Sequence, residues 1–167
     1  VRYYLRARTT GALRVPLMAW LPTAFVGHES RSNLLLWMFY GAIAVSAGLT
    51  FFHARTQRAG YLAAAASAAA FVATLVGVLS FVSLYIYEHP NHHCPFCILK
   101  PEYGHQGYWL YVPLFAATAA GLGVGALQPF RQVASLRAIV PAVSARLARV
   151  AAIGYLLVAA LASWFVP

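Results

Sequence analysis

The chain has 167 residues, of which 62% are hydrophobic and only 9% are charged. Soluble domains average about 45–50% apolar and about 25% charged residues, so this composition excludes disordered, collagen-like and disulfide-scaffold proteins and indicates a polytopic membrane protein. The net charge of +9 arises mainly from arginines. Because these arginines lie in short patches between long apolar runs, they indicate membrane topology, and we expect no nucleic-acid partner.

The first apolar segment, residues 15–27, is short and contains Pro16 and Pro22. It follows a basic stretch, residues 1–14. A helix needs roughly 20 apolar residues to cross the hydrocarbon core of a bilayer. Three arrangements therefore remain open for this segment: a short kinked crossing, a segment lying in the interface, or an uncleaved signal-like anchor.

Four longer apolar segments predict transmembrane helices. Helices are favoured over strands because the runs are continuous and rich in Ala and Leu, without alternation. The predicted fold is an all-α integral membrane protein in the lipid bilayer, a single helical bundle of four transmembrane helices plus a short N-terminal fifth hydrophobic segment. The four predicted helices cover residues 34–52, 59–87, 107–130 and 150–166.

The basic residues predict the orientation of the chain. If residues 15–27 cross, the inner side holds residues 1–14, 53–58 and 131–149 and therefore ten of the twelve basic residues. The positive-inside rule then favours five crossings, a cytoplasmic N-terminus and an extracytoplasmic C-terminus, in a bacterial inner membrane. The loop 88–106 is predicted to be extracytoplasmic, and the aromatic residues near it, Tyr108 and Tyr111 among them, are interpreted as interface anchors.

The basic segment 131–149 mixes arginines with apolar residues, and Pro141 interrupts it. This pattern predicts a cytoplasmic, interfacial pair of helices that is drawn to anionic headgroups. A solvated linker is the alternative. His53, at the inner end of the first long span, is interpreted as a polar residue that marks the interface.

The loop 88–106 contains both cysteines and four of the six histidines of the chain. In the motif Cys94-Pro95-Phe96-Cys97, Pro95 suits the first position of a helical turn. The Cys94 sulfur would then lie at a helix N-terminus, where backbone N–H groups stabilise a thiolate. Pro101 is expected to end this turn. An inert disulfide across so short a loop would stabilise the fold little.

The first functional hypothesis is a transition-metal site for metal handling or cofactor delivery, with a periplasmic metal-carrying protein as a possible partner. Thiolate sulfur and imidazole nitrogen are ligands of zinc and also suit copper. Glu88 or Glu102 could orient a ligand histidine. The predicted ligands of copper or zinc are Cys94 and Cys97, one of His92 and His93, and His89 or His105.

The second hypothesis is an enzyme, a membrane thiol–disulfide oxidoreductase. Cys94-Pro95-Phe96-Cys97, with Glu102 further on, resembles the membrane thiol oxidases, namely disulfide bond formation protein B and the relatives of vitamin K epoxide reductase. The resemblance covers about ten residues and implies a helical bundle that passes electrons to a quinone. Those families use a second cysteine pair, which this chain lacks, so a thiol-carrying partner protein would have to supply it. Cys94 is predicted to attack and Cys97 to resolve.

The third hypothesis is a non-catalytic membrane subunit whose outer loop docks a partner. The predicted outer loop 28–33 could also contribute His28 or Glu29 to the cysteine site.

Overall fold

The computed structural model describes residues 22–82, residue 94 and residues 96–165, with side chains from residue 33 onward except those of Phe81 and Phe165. No strand occurs in these residues, which confirms the all-α prediction. A π-helical turn, Val78–Val82, continues the second helix. The four helices are α1 (Pro22–Thr56), α2 (Gly60–Gly77), α3 (Gln106–Ala126) and α4 (Val140–Phe165).

All four helices are long and apolar enough to cross a membrane. The segments that qualify are Asn33–Thr56, Gly60–Ser80, Gln106–Gln132 and Val140–Trp164. Large apolar side chains point away from the core, for example Trp37, Tyr61 and Ile153. A surface this apolar suits contact with lipid and not with water. The chain is therefore an integral membrane protein, as the sequence predicted.

The structure differs from the prediction at residues 28–33. These residues belong to α1, which is continuous from Pro22 to Thr56, and do not form an outer loop. Pro22 stands at the helix start, where its missing N–H costs nothing. A separate crossing by residues 15–27 would have to turn back within 28–33, and the continuous helix leaves no turn there. Residues 15–21 lie outside the described residues, so the position of the N-terminus stays a prediction.

The predicted segment 131–149 is divided between two structures. Residues 134–139 form turns, but residues 140–149 belong to α4, which begins ten residues before the predicted transmembrane helix. Pro141 does not interrupt this helix. It occupies the first turn, where no intrahelical N–H bond is lost. The interpretation of 131–149 as two interfacial helices is therefore wrong for its second half.

The helices pack as a ring, in which α3 contacts α2 and α4, and α1 closes the ring against α2 and α4. Small residues allow the backbones to approach closely. A Cβ atom added at Gly125 would lie 2.5 Å from the Cβ of Ala64, and one added at Gly154 would lie 2.8 Å from the Cβ of Ala117. Such close approach is how helices associate in lipid, where hydrophobic burial offers little driving force.

One end of the bundle, which we call the arginine end, comprises residues 53–60 and 127–149. Here His53 is fully buried and joins three elements. Its Nδ1–H donates to the carbonyl of Arg58 over 2.8 Å, and its Nε2 accepts from the hydroxyl of Ser144 over 2.8 Å. His53 thus packs inside the protein as a structural residue and does not merely mark the interface.

Candidate thiol site

The opposite end of the bundle, the cysteine end, comprises residues 94–106 as far as they are described. Two 3₁₀-helical turns, Cys97–Leu99 and Pro101–Tyr103, follow the first cysteine. Pro101 opens the second turn, whereas we expected it only to end the first. Ile98 is fully buried in the main core cluster of the helices. This anchor fixes the cysteine turn against the bundle.

The two cysteines are not joined by a disulfide, and both are partly exposed. The thiol of Cys97 donates a hydrogen bond to the sulfur of Cys94, and this bond is the largest cause that lowers the pKa of Cys94. The backbone N–H of Phe96 and the charge of Lys100 lower it further. The sequence predicted thiolate stabilisation at Cys94 by backbone N–H groups. The neighbouring thiol, which periodicity could not reveal, contributes more.

The same hydrogen bond shifts the pKa of Cys97 in the opposite direction. Its pKa is raised, first because its thiol proton is engaged with Cys94 and then because of burial. The two thiols are therefore unequal: Cys94 loses its proton more readily than an ordinary cysteine, and Cys97 holds its proton more tightly. Unequal thiols of this kind suit an attacking and a resolving cysteine, because the thiolate is the nucleophile.

His105 is held in place just before α3. Its backbone is left-handed, with φ of 56°. Its Nδ1–H donates to the carbonyl of Leu99 over 2.8 Å, so a neutral ring presents Nε2 as its lone-pair nitrogen. Its ring lies 5.9 Å from that of Tyr108. Among the residues that the structure describes, no three His, Cys, Asp or Glu side chains gather as a metal site requires, so His105 does not join the two cysteines there.

The other predicted ligands cannot be placed. His89, His92 and His93 lie outside the described residues, as does Glu88. His28 and Glu29 lie on the part of α1 whose side chains are not described. Their participation in a site with Cys94 stays a prediction.

An apolar groove of about 610 Å³ lies beside the cysteine turn. It runs between α2 and α3, and its lining is almost entirely apolar. The lining residues are Leu75, Leu79, Phe96, Leu99, Tyr108, Tyr111, Val112 and Phe115. Phe96 and Leu99 flank Cys97 in sequence, and Tyr111 is close enough to Cys94 for their charges to interact. The groove therefore lies beside the cysteine turn, and its lining includes Phe96 and Leu99 of that turn but neither cysteine.

Sequence reasoning missed this groove. It assigned Tyr108 and Tyr111 to membrane anchoring, because a tyrosine near the end of a span usually serves that purpose. The spacing of the two residues on α3 gave a possible signal: three positions apart, they share a helix face. That face meets α2 only in the folded bundle.

Gly107 allows the cysteine turn to lie against α3. A Cβ atom added there would come within 2.7 Å of Ile98 Cγ1 and within 3.1 Å of the Ile98 carbonyl carbon. We expect Gly107→Ala to cost about 1–3 kcal/mol, the usual range for overpacking, and to displace the thiols. Thermal unfolding together with the rate of thiol alkylation checks this. The matched control is Gly41→Ala on α1, where an added Cβ meets nothing within 4 Å.

Comparison with known protein families, with curated proteins and with solved structures finds no match for this chain. The functional argument therefore depends on the chemistry of the thiol site.

Proposed function

We propose that this protein is a membrane thiol–disulfide oxidoreductase that passes electrons from thiols to a quinone. The observation that carries the proposal is the pair of adjacent, unequal thiols beside an apolar groove. A redox dithiol needs a nucleophilic sulfur, a resolving sulfur and an electron acceptor within reach. Cys94 and Cys97 would supply the first two, and the groove would hold the third.

The chemistry balances as a two-electron exchange. The disulfide form of Cys94 and Cys97 accepts two electrons from a partner dithiol through a mixed disulfide, and the partner leaves as a disulfide. The Cys94 thiolate and the Cys97 thiol then form their disulfide, while the quinone takes up two electrons and two protons. One of these protons comes from Cys97 and the other from water.

The groove suits the quinone because its lining is almost entirely apolar. Leu75, Val112 and Phe115 would contact the ring and the start of its isoprenoid tail. The groove opens on the side of the bundle that faces lipid, from which a quinone would enter.

We further propose that the cysteine end lies outside a bacterial inner membrane, in the periplasm. Six arginines belong to the arginine end, whereas Arg31 and Lys100 are the basic residues in the rest of the described chain. The positive-inside rule places the arginine end in the cytoplasm. An oxidising compartment outside would be compatible with a thiol that cycles through a disulfide.

The experiment is a quinone-reduction assay with the detergent-purified, prereduced protein and a short-tailed ubiquinone analogue. We expect the wild-type protein to oxidise its dithiol and to yield about one quinol per chain. Val112→Trp should fill the groove and reduce the rate about tenfold or more, because a bulky ring excludes a second ring. The control is Ile153→Trp, an equally lipid-exposed position on α4. Equal rates in the two variants would contradict a quinone in the groove.

A transition-metal site remains a second proposal, favoured by the partly exposed pair of sulfurs and by the histidines beside it in sequence. Two thiolates and two imidazoles would complete a tetrahedral shell around copper or zinc. Elemental mass spectrometry of the purified protein should then find about one metal ion per chain, absent from Cys94→Ser/Cys97→Ser. Metal content unchanged in that double variant would rule out the cysteines as ligands.

A further inference from the structure

A row of exposed apolar side chains lies on the loop between α3 and α4. Every third residue belongs to it: Phe130, Val133, Leu136 and Ile139, whose exposed fractions are 48%, 42%, 36% and 59%. The N–H of each of the last three donates to the carbonyl three residues earlier, over 3.2, 3.0 and 3.0 Å. The four residues therefore occupy equivalent positions in successive turns. We call them the loop ridge.

The arginine end carries positive charge that the chain itself does not neutralise. The sequence has no aspartate, and its glutamates at positions 29, 88 and 102 lie in other segments. Six arginines belong to this end: Arg55, Arg58, Arg131, Arg137, Arg146 and Arg149. Their counterions must come from outside the chain, and the planar fork of a guanidinium matches a phosphate group.

Some arginines of this end are bonded within the protein, and others are exposed and can bind a ligand. Arg131 donates to the carbonyl of Gln57 over 2.6 Å and to the side chain of Gln128 over 3.2 Å, so it ties α1 to the end of α3. Arg137 is exposed and directly follows Leu136 of the loop ridge. An exposed cation beside an exposed apolar row is the arrangement that an amphipathic interfacial segment presents to a membrane.

We propose that the loop ridge and Arg137 form a binding site for an anionic phospholipid. The loop connects two membrane-spanning helices, which places it at the bilayer surface. The ridge meets the acyl chains, and Arg137 meets the headgroup phosphate. A free phosphate would use the arginines but would leave the ridge exposed to water, so the ridge favours a lipid. This site is independent of the thiol chemistry proposed above.

The test is lipid binding by native mass spectrometry of the full chain in detergent micelles. The probes are phosphatidylglycerol and phosphatidylcholine with identical acyl chains. We expect the wild-type protein to prefer phosphatidylglycerol. Arg137→Gln should weaken that binding about fivefold, the ratio that about 1 kcal/mol per basic residue gives, and leave phosphatidylcholine unchanged. Leu136→Ser/Ile139→Ser should weaken the binding of both lipids, and Lys100→Gln at the cysteine end should change neither.

Two results would overturn the proposal. One is equal affinity of the wild-type protein for the two lipids, and the other is displacement of phosphatidylglycerol by glycerol 3-phosphate, which would assign the site to the headgroup alone. Because the substituted side chains are exposed, the variants should unfold at the wild-type temperature. If Arg137→Gln unfolds at a lower temperature than the wild-type protein, Arg137→Lys provides the second variant. It keeps the positive charge but loses the planar guanidinium. An unchanged preference for phosphatidylglycerol in Arg137→Lys would then exclude bidentate recognition of the phosphate.

Discussion

Replacing Cys94 should abolish thiol oxidation, whereas replacing Cys97 should stop the reaction halfway. We expect Cys94→Ser to lose about 10³-fold or more of the activity, because the attacking thiolate is gone. In Cys97→Ser the Cys94–Cys97 disulfide cannot form, but the Cys94 thiolate can still attack the disulfide of an oxidised partner and displace one of its sulfurs. No Cys97 thiol is then present to release the partner. This variant should therefore accumulate a mixed disulfide between Cys94 and a thiol-carrying protein, visible on non-reducing gels after purification from cells.

The pH dependence of alkylation separates the two cysteines. Because the Cys97 hydrogen bond lowers the pKa of Cys94, the wild-type protein should react with iodoacetamide at a lower pH than an ordinary cysteine. Cys97→Ala removes the donor, so the midpoint for Cys94 should move to higher pH. Cys97→Ser keeps a hydroxyl donor, so the midpoint for Cys94 should move less in this variant than in Cys97→Ala. In Cys94→Ala, the midpoint for Cys97 should fall, because the bond that raises its pKa is lost.

The outcomes distinguish the three functional classes. A trapped mixed disulfide with Cys97→Ser, and none with Cys94→Ser, supports the oxidoreductase. Trapping on Cys97 instead would reverse the assigned roles. Full cellular function of the Cys94→Ser/Cys97→Ser double variant would contradict both the redox and the metal proposals and favour a subunit that docks a partner.

Replacing His53 should destabilise the arginine end strongly. We expect His53→Ala to lower the free energy of unfolding by about 2–4 kcal/mol, because it leaves a cavity and two polar groups without their partner. Those groups are the carbonyl of Arg58 and the hydroxyl of Ser144. Unfolding in mixed detergent micelles, followed by circular dichroism, measures the effect.

Two further variants test whether the hydrogen bonds of His53 are the cause of this loss of stability. His53→Asn places an amide N–H near the position of Nδ1 and should recover about 1 kcal/mol through the carbonyl of Arg58. Phe52→Ala removes a neighbouring side chain that is 47% exposed to lipid, and it should cost less than about 1 kcal/mol. If Phe52→Ala destabilises as much as His53→Ala, the hydrogen bonds of His53 are not the cause.

The sequence alone determined that the protein is an all-α membrane bundle. Continuous runs of about 20 apolar residues have one stable solution in a bilayer, since every backbone polar group must be satisfied within the segment. The candidate site was also visible in the sequence, because both cysteines and four of the six histidines stand together in an otherwise apolar chain. Helix ends were less predictable: Pro22 and Pro141 look like interruptions in sequence, yet both lie in first turns.

The tertiary structure decided what surrounds those cysteines and how the helices meet. Phe115 and Leu75 lie on different helices, and only the packing of α3 against α2 and the cysteine turn forms the groove beside that turn. His53 and Ser144 are 91 positions apart, so no local pattern reveals their bond. Hydropathy reports whether a residue prefers lipid, which is a property of one side chain. Which helix faces which depends on small residues such as Gly125 and Gly154, whose close contacts exist only once the bundle has formed.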